Sequence, residues 1–265
     1  MTDDQLINKN FYILQRNKTI KDKNKFIINE MGKRLNLSLE GINLSINSCL
    51  EIGLGTDLIY KYITTRFNKV EYLTVDISKN VLRNSLLKLD SYCFDNDKWQ
   101  INKDKFDIII SNFYLHITNN LEIVIKNIYN SLNINGFFVA TLPGINCCAE
   151  IKNCMIQADI ELYNGAYRRF MENFSINNIS QILKINNFQI PVIEVDSFQL
   201  RYKDFYKLLN DIRYLGNSNM YYDRKKKFEN KKYFKKVEEI MWKKYSNNNE
   251  IILQIEVILI TAWKH

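Results

Sequence analysis

Glycine is scarce in this chain, so its placement is informative. Only 8 of 265 residues are glycine and 2 are proline. No linker of the Gly/Ser/Pro kind interrupts the sequence and no internal repeat is present, which favours one domain over a string of tethered modules. Histidine is rarer than glycine, at 2 residues, which argues against a zinc site. The 5 cysteines are an odd number without metal-ligand spacing. They fit reduced thiols in a cytosol rather than a disulfide framework. The opening stretch MTDDQLINKN is polar and lacks the charged and apolar regions of a secretory signal. The longest apolar run, Ile251–Trp263, is broken by Gln254 and Glu256 and is too short to span a bilayer. The expected location is cytoplasmic, with no membrane span and no metal.

What is present supports a packed core. Hydrophobic residues make up 46% and aromatics 13% of the chain, enough for one large α/β domain or a domain with an added cap. Asparagine, lysine and isoleucine are abundant throughout, which reads as a coding bias because apolar periodicity survives it. The net charge of +8 has two readings. One is a solvated lysine-rich surface. The other is an acidic partner approached under electrostatic steering, either nucleic acid or an acidic carrier protein.

Periodicity places the elements. Residues Asn10–Leu37 predict one or two helices. Ser45–Gly53 reads as a buried strand, Asp57–Phe67 as a helix and Val70–Ser78 as a second strand. Lys79–Leu89 reads as a second helix with Ser78 as its N-cap, and Ser91–Asp95 as a short third strand. Phe106–Phe113 has the near-continuous apolar centre of a parallel strand covered on both faces. Asn120–Leu132 predicts a helix and Gly136–Leu142 a fifth strand. After Pro143 the alternation loosens. Asn146–Asn164, Ile176–Phe188, Asp204–Gly216 and Phe228–Tyr245 read as helices, and Ile190–Tyr202 and Glu250–Lys264 as strands. The expectation is a Rossmann-like, doubly wound α/β fold: a seven-stranded, mostly parallel sheet with helices on both faces and a helical lid insertion. Within the single domain 1–265, residues 1–45 form N-terminal helices and 46–142 the cofactor-binding half. Residues 143–175 form the lid and 176–265 the rest of the sheet.

Two glycines lie one residue apart in CLEIGLGTDLI (Cys49–Ile59), where the first strand enters the first helix. Ligands of open α/β sheets bind outside the carboxyl ends of the strands. Gly53 and Gly55 allow a tight turn there and close approach of a ligand to backbone. Unpaired N–H groups of the following helix would face it. Asp76, at the end of the second strand, is placed to accept hydrogen bonds from both hydroxyls of a ribose. Asp95 ends the third strand and could meet an exocyclic amine. A dinucleotide fingerprint would require a third glycine at position 58, which is leucine, and no phosphate-loop Gly-Lys-Ser/Thr follows. Glu51 would repel a pyrophosphate and attract an ammonium group. A nucleoside with a cationic amino-acid tail fits this pattern, as S-adenosylmethionine does, with S-adenosylhomocysteine as product.

On these residues the chain resembles the class I S-adenosylmethionine-dependent methyltransferases. LEIGLGTD, LTVDIS, CFDND and FDIIISNFYLHI look like their first four motifs, and IYNSLNINGFFVATL like a later helix-and-strand segment. The likeness covers about Leu50–Leu142. Asp57 departs from it, standing where many members carry a third glycine, and reads as a helix cap. Over more of its length the chain is similar to two related groups. One is the malonyl-acyl-carrier-protein O-methyltransferases of biotin synthesis (the BioC type), to which Ile108–Asn112 and Tyr167–Phe170 are similar. The other is the complex I assembly-factor group that keeps the methyltransferase fold and is thought to hydroxylate an arginine. Ile77–Ser85, Leu208–Asn219 and the closing ITAWKH are similar to the latter.

The resemblance implies roles. Glu51, Gly53, Leu54 and Gly55 would line the methionine end and ribose edge. Asp76 would hold the ribose, and Ile77 would pack on the adenine with Asp95 and Asn96 at its rim. Ser111, Asn112 and Phe113 would pass under the sulfonium, and Tyr12 and Arg16 would fold over the site. For the acceptor, Arg168 or Arg169 could clamp a carboxylate; the plain alternative is that both are solvated. Tyr114, Tyr163 and Tyr167 could line the substrate mouth or simply pack. His116 reads as a base or, more plainly, as a packed histidine, and Cys147, Cys148 and Cys154 as packing residues. The favoured acceptor is malonyl-acyl carrier protein, whose acidity suits the basic stretch Arg224–Lys236, with a monomeric enzyme. A protein-arginine-modifying assembly factor is the rival. An RNA methyltransferase is third, because SNFY replaces the N/D-P-P-Y/F motif and no RNA-binding module is appended. A binding protein that merely retains the nucleoside site also stays open.

Overall fold

The computed structural model describes residues 6–21, 25–42, 45–85, 89–99, 101–215, 219–225 and 229–265. Its first half runs α1 (Lys9–Lys18), α2 (Phe26–Glu40), β1 (Ser48–Ile52), α3 (Leu58–Arg66), β2 (Glu71–Asp76), α4 (Lys79–Arg83), β3 (Asp90–Cys93), β4 (Phe106–Asn112) and α5 (Leu121–Ser131). The second half runs β5 (Leu132–Pro143), α6 (Ala149–Tyr163), α7 (Ile176–Ile185), β6 (Gln189–Tyr202), α8 (Phe205–Tyr214), α9 (Lys231–Lys244), β7 (Ser246–Asn247) and β8 (Glu250–Trp263). Short 3-10 turns span Thr19–Lys21 and Asn96–Lys98. Residues 86–88 of the expected Lys79–Leu89 helix lie outside the described residues. So do 216–218 of the Leu208–Asn219 segment and 226–228 of the basic stretch.

The sheet has eight strands along the path β3-β2-β1-β4-β5-β8-β6, with β7 paired to β8. The seven expected strands are this path. The eighth, β7, is a two-residue rung closed by Asn248 and Asn249, both at positive φ, the left-handed pair that a tight hairpin needs and that asparagine tolerates. Strands β3, β2, β1, β4 and β5 are mutually parallel, and β8 runs antiparallel to β5 and β6.

Strand alternation explains the two covered faces. Leu50, Ile52 and Ile109 join Val124, Ile125, Ile128, Ile179 and Leu183 of α5 and α7. Cys49, Ile108 and Ile110 point the other way and join Leu35, Leu39, Ile59 and Ile63 of α2 and α3. A third cluster gathers α6, α8, α9 and the ends of β6 and β8, and includes Cys147, Cys148 and Cys154. All three cysteines are buried, as packing residues would be. Pro191 lies in the edge strand β6, at the register shift between Gln189 and Val192, where no ladder N–H is required.

Six helices start at side-chain caps, whereas α2 and α6 start at Lys25 and Cys148 without a cap bond. Asn8, Ser78, Asn120, Ser175, Asp204 and Asn230 each accept a bond from a first-turn N–H, worth about 1 kcal/mol apiece. Asp57 occupies the N-cap position of α3 without making a cap bond; its carboxylate pairs with Lys61 one turn on. Order along the sheet reverses between β1 and β4, so the carboxyl ends of β1, β2 and β4 open on a common crevice.

Candidate functional site

The β1–α3 turn builds one wall of that crevice. Gly53 has φ of +85°, and its N–H donates to Val75 O at 2.7 Å. Ser111, on β4, donates its hydroxyl to Ile52 O at 2.9 Å and pins the strand end below the turn. Asp76 finishes β2 fully buried. Its Oδ1 accepts from Ser78 N at 2.8 Å, and its Oδ2 from Leu54 N at 3.1 Å. The acid thus ties the turn to the next strand.

Residues from α1 close over this carboxylate. Arg16 donates through Nε and Nη2 to Asp76 Oδ2, at 3.0 and 2.7 Å, and through Nη2 to Leu54 O at 2.6 Å. Burial would depress the guanidinium, but Asp76 outweighs it and raises its pKa. The Tyr114 hydroxyl accepts from Ile77 N at 2.8 Å. Its ring lies across Gly53, with the Arg16 guanidinium 5.1 Å from the ring centroid. Tyr12 packs 6.1 Å away, centroid to centroid. Burial pushes the phenols of Tyr12 and Tyr114 well up, so both keep their protons at neutral pH.

The remaining expected residues ring the same crevice. Glu51 is buried on β1. Its Oε2 accepts from Tyr72 at 2.9 Å and Thr74 at 3.4 Å, and burial raises its pKa to about 7. Gly55 meets Ile28, and its carbonyl accepts from Lys25 Nζ at 2.9 Å. Asn112 donates to Ile28 O at 3.0 Å and accepts from the Thr141 hydroxyl at 2.9 Å. Phe113, at φ +51°, donates its N–H to Thr141 Oγ1 at 2.9 Å. Asp95 lies two residues past the end of β3 rather than on it. There it caps the 3-10 turn and pairs with Lys9 at 2.9 Å, while Asn96 is buried beside it.

The acceptor residues do not gather in the same way. Tyr114, grouped by sequence with Tyr163 and Tyr167, lies over Gly53, because the Ile77 N–H takes its phenol oxygen as acceptor. Tyr163 and Tyr167 pack together at 5.9 Å, and Tyr163 stacks on Tyr233 of α9 at 6.0 Å. Arg169 is engaged by both oxygens of buried Asp159 and by Glu229 at 2.8 Å. An incoming carboxylate there competes with an internal one. Arg168 pairs with Glu172 and stacks 3.7 Å over Tyr221. His116 is buried with its ring 5.0 Å from Phe113. A cavity of about 200 Å³ lies between α6, α8 and α9, near Arg168 and Arg169. Another of about 330 Å³ lies between residues 25–28, the end of β6 and α8.

Sequence reasoning missed Lys9, Asn17, Lys25, Ile28 and Tyr72. Asn17 meets the Ser78 hydroxyl, and Lys9 reaches both Asp95 and Asp97. Their contacts span long stretches of chain, and no local spacing announces them. Tyr72 falls within the expected second strand, and strand periodicity does not announce that its hydroxyl donates to Glu51.

Residue chemistry fits a nucleoside with an amino-acid tail. Three buried polar atoms around the strand ends have no hydrogen-bond partner: Glu51 Oε1, Thr56 Oγ1 and Asn96 Oδ1. Buried polar atoms are normally satisfied, and an ammonium group and an adenine offer donors of the kind these acceptors lack. Among the described residues no group of three or more His, Cys, Asp or Glu side chains is arranged to hold a metal ion. No helix among them is long and apolar enough to cross a membrane.

A doubly wound sheet of this strand order, with its crevice at the carboxyl ends of β1, β2 and β4, defines the fold as Rossmann-like. Residues 50–138 match the family described as methyltransferase domain. Over that segment the chain is similar to a methyltransferase domain. It is similar to "Arginine-hydroxylase NDUFAF5, mitochondrial" of Dictyostelium discoideum, at 25% identity over 97% of this chain and 65% of the relative, so the chain spans just under two thirds of that protein's length. It is also similar to malonyl-[acyl-carrier protein] O-methyltransferase of Legionella pneumophila, at 22% identity over 89% of this chain and 83% of the relative. The crystal structure of an S-adenosylmethionine-dependent methyltransferase from Archaeoglobus fulgidus shares the fold, with TM-score 0.53 and 13% identity over 91% of this chain and 97% of that one.

Proposed function

We propose that this chain transfers a methyl group to the free carboxylate of a malonyl thioester borne by acyl carrier protein. The observation that carries the methyltransferase reading is the junction of Gly53, buried Asp76 and the unpartnered Glu51 Oε1 at adjacent strand ends. Asp76 would hold the ribose hydroxyls and Glu51 the ammonium, with Ile77, Asp95 and Asn96 about the adenine. S-adenosylmethionine, when bound, supplies a methyl group activated on a sulfonium. Gly53 and Gly55 let the backbone come close, and Ser111, Asn112 and Phe113 form the floor. Tyr12 and Tyr114 exclude water.

A carboxylate acceptor suits this site because it is already ionised at neutral pH and needs no base. The tyrosines nearest Gly53 stay protonated, as described above, and are poor proton acceptors. The similarity to a malonyl-carrier methyltransferase over most of both chains supports the same choice.

A second reading is modification of an arginine on a protein partner. It is favoured by the relative that matches 97% of this chain. Incubation with labelled S-adenosylmethionine and malonyl-carrier separates the two. Base-labile label released as methanol marks the ester. An unlabelled carrier, with a modified arginine in a protein pool, removes the first choice.

A further inference from the structure

We propose that Arg16 makes this site select a nucleoside bearing an amino-acid carboxylate over the same nucleoside without one, by exchanging Asp76 for the ligand's carboxylate. The inference rests on the methyltransferase reading and adds a specificity-determining residue to it. Both carboxylate oxygens of Asp76 are engaged. Oδ1 is held by Ser78 N, and Oδ2 takes Leu54 N and two guanidinium nitrogens of Arg16. Oδ2 is saturated by these three donors, so a ribose gripped through both carboxylate oxygens must displace Arg16.

A displaced guanidinium cannot shed its proton. The Arg16 side chain is only 14% exposed and Asp76 is fully buried, so separating them leaves a poorly solvated cation unless a new acceptor arrives. Its other partner, Leu54 O, is neutral and belongs to the β1–α3 turn. That turn is where the amino-acid end of the ligand lies if Asp76 holds the ribose and Glu51 the ammonium. A carboxylate beside Leu54 restores a charged partner within one side chain's reach. A ligand ending in a methylthio group offers none. The Tyr114 ring under Arg16 supports the cation in either position but supplies no hydrogen-bond acceptor for the guanidinium fork.

Calorimetric titration of the full chain with S-adenosylhomocysteine and with 5′-methylthioadenosine tests this. Wild type is expected to prefer S-adenosylhomocysteine. In Arg16→Gln that preference should fall by about tenfold or more, with methylthioadenosine binding tighter than to wild type because no ion pair is broken. Arg16→Lys keeps the charge but not the fork, and should fall between. It also serves if circular dichroism shows Arg16→Gln unfolded. An unchanged preference, or equal weakening of both ligands, overturns the role of Arg16 and leaves the cofactor reading standing. Wild type that binds neither nucleoside removes both.

Discussion

The Tyr114 ring lies where a β-carbon at residue 53 would project: such an atom would fall 2.1 Å from Tyr114 Cγ. Glycine is required here twice, once for the left-handed backbone and once for the ring. Gly53→Ala should lower unfolding free energy by roughly 2–3 kcal/mol. The double variant Gly53→Ala/Tyr114→Ala should lose less than the sum of the two single losses, as measured by urea denaturation. Strict additivity would mean that the ring is not what the glycine accommodates.

Asp76 joins Leu54, Ser78 and Arg16, so neutralising it has two consequences. Asp76→Asn should weaken S-adenosylhomocysteine binding about 100-fold or more, the loss of two hydrogen bonds to a charged acceptor. It should also destabilise the fold by about 3 kcal/mol, through an unpaired Arg16. Calorimetry reads the first and chemical denaturation the second. Unaltered affinity would detach Asp76 from the ribose.

Glu51 makes stability depend on pH. Burial raises it to about 7, against an ordinary value of 4.5. The native chain therefore holds a proton that the unfolded chain has lost. Its stabilising contribution is complete below pH 4.5 and is lost as pH rises through 7, by up to roughly 3 kcal/mol. Glu51→Gln lacks this slope. Its stability relative to wild type should climb between pH 5 and 8 in parallel urea titrations. A flat difference would show that Glu51 ionises normally.

Arg169 is the residue whose role the surroundings constrain most sharply. Asp159 is fully buried and relies on its guanidinium. Arg169→Met should cost about 3–5 kcal/mol, and Asp159→Leu in the same chain should recover most of it, because the stranded carboxylate is removed. If Arg169→Met instead keeps wild-type stability and raises only the acceptor KM, the arginine serves the acceptor rather than the Asp159–Glu229 network.

Local sequence was enough for the main path of the sheet and for placing one half of the candidate site residues at strand ends. Apolar runs of strand length, caps such as Ser78 and Asn120, and acids at strand ends are short-range signals, and each is set by backbone geometry within a few residues. Gly53, Asp76 and Ser111 were legible because the carboxyl ends of parallel strands converge wherever such a sheet forms. Tertiary structure alone decided what covers them. Arg16 reaches Asp76 across 60 residues, Tyr114 crosses to Gly53 and Ile77, and Arg169 turns to Asp159 and Glu229. Long side chains choose partners by burial and charge in three dimensions. A guanidinium taken out of water goes to the nearest buried carboxylate, and no periodicity along the chain records which one that is.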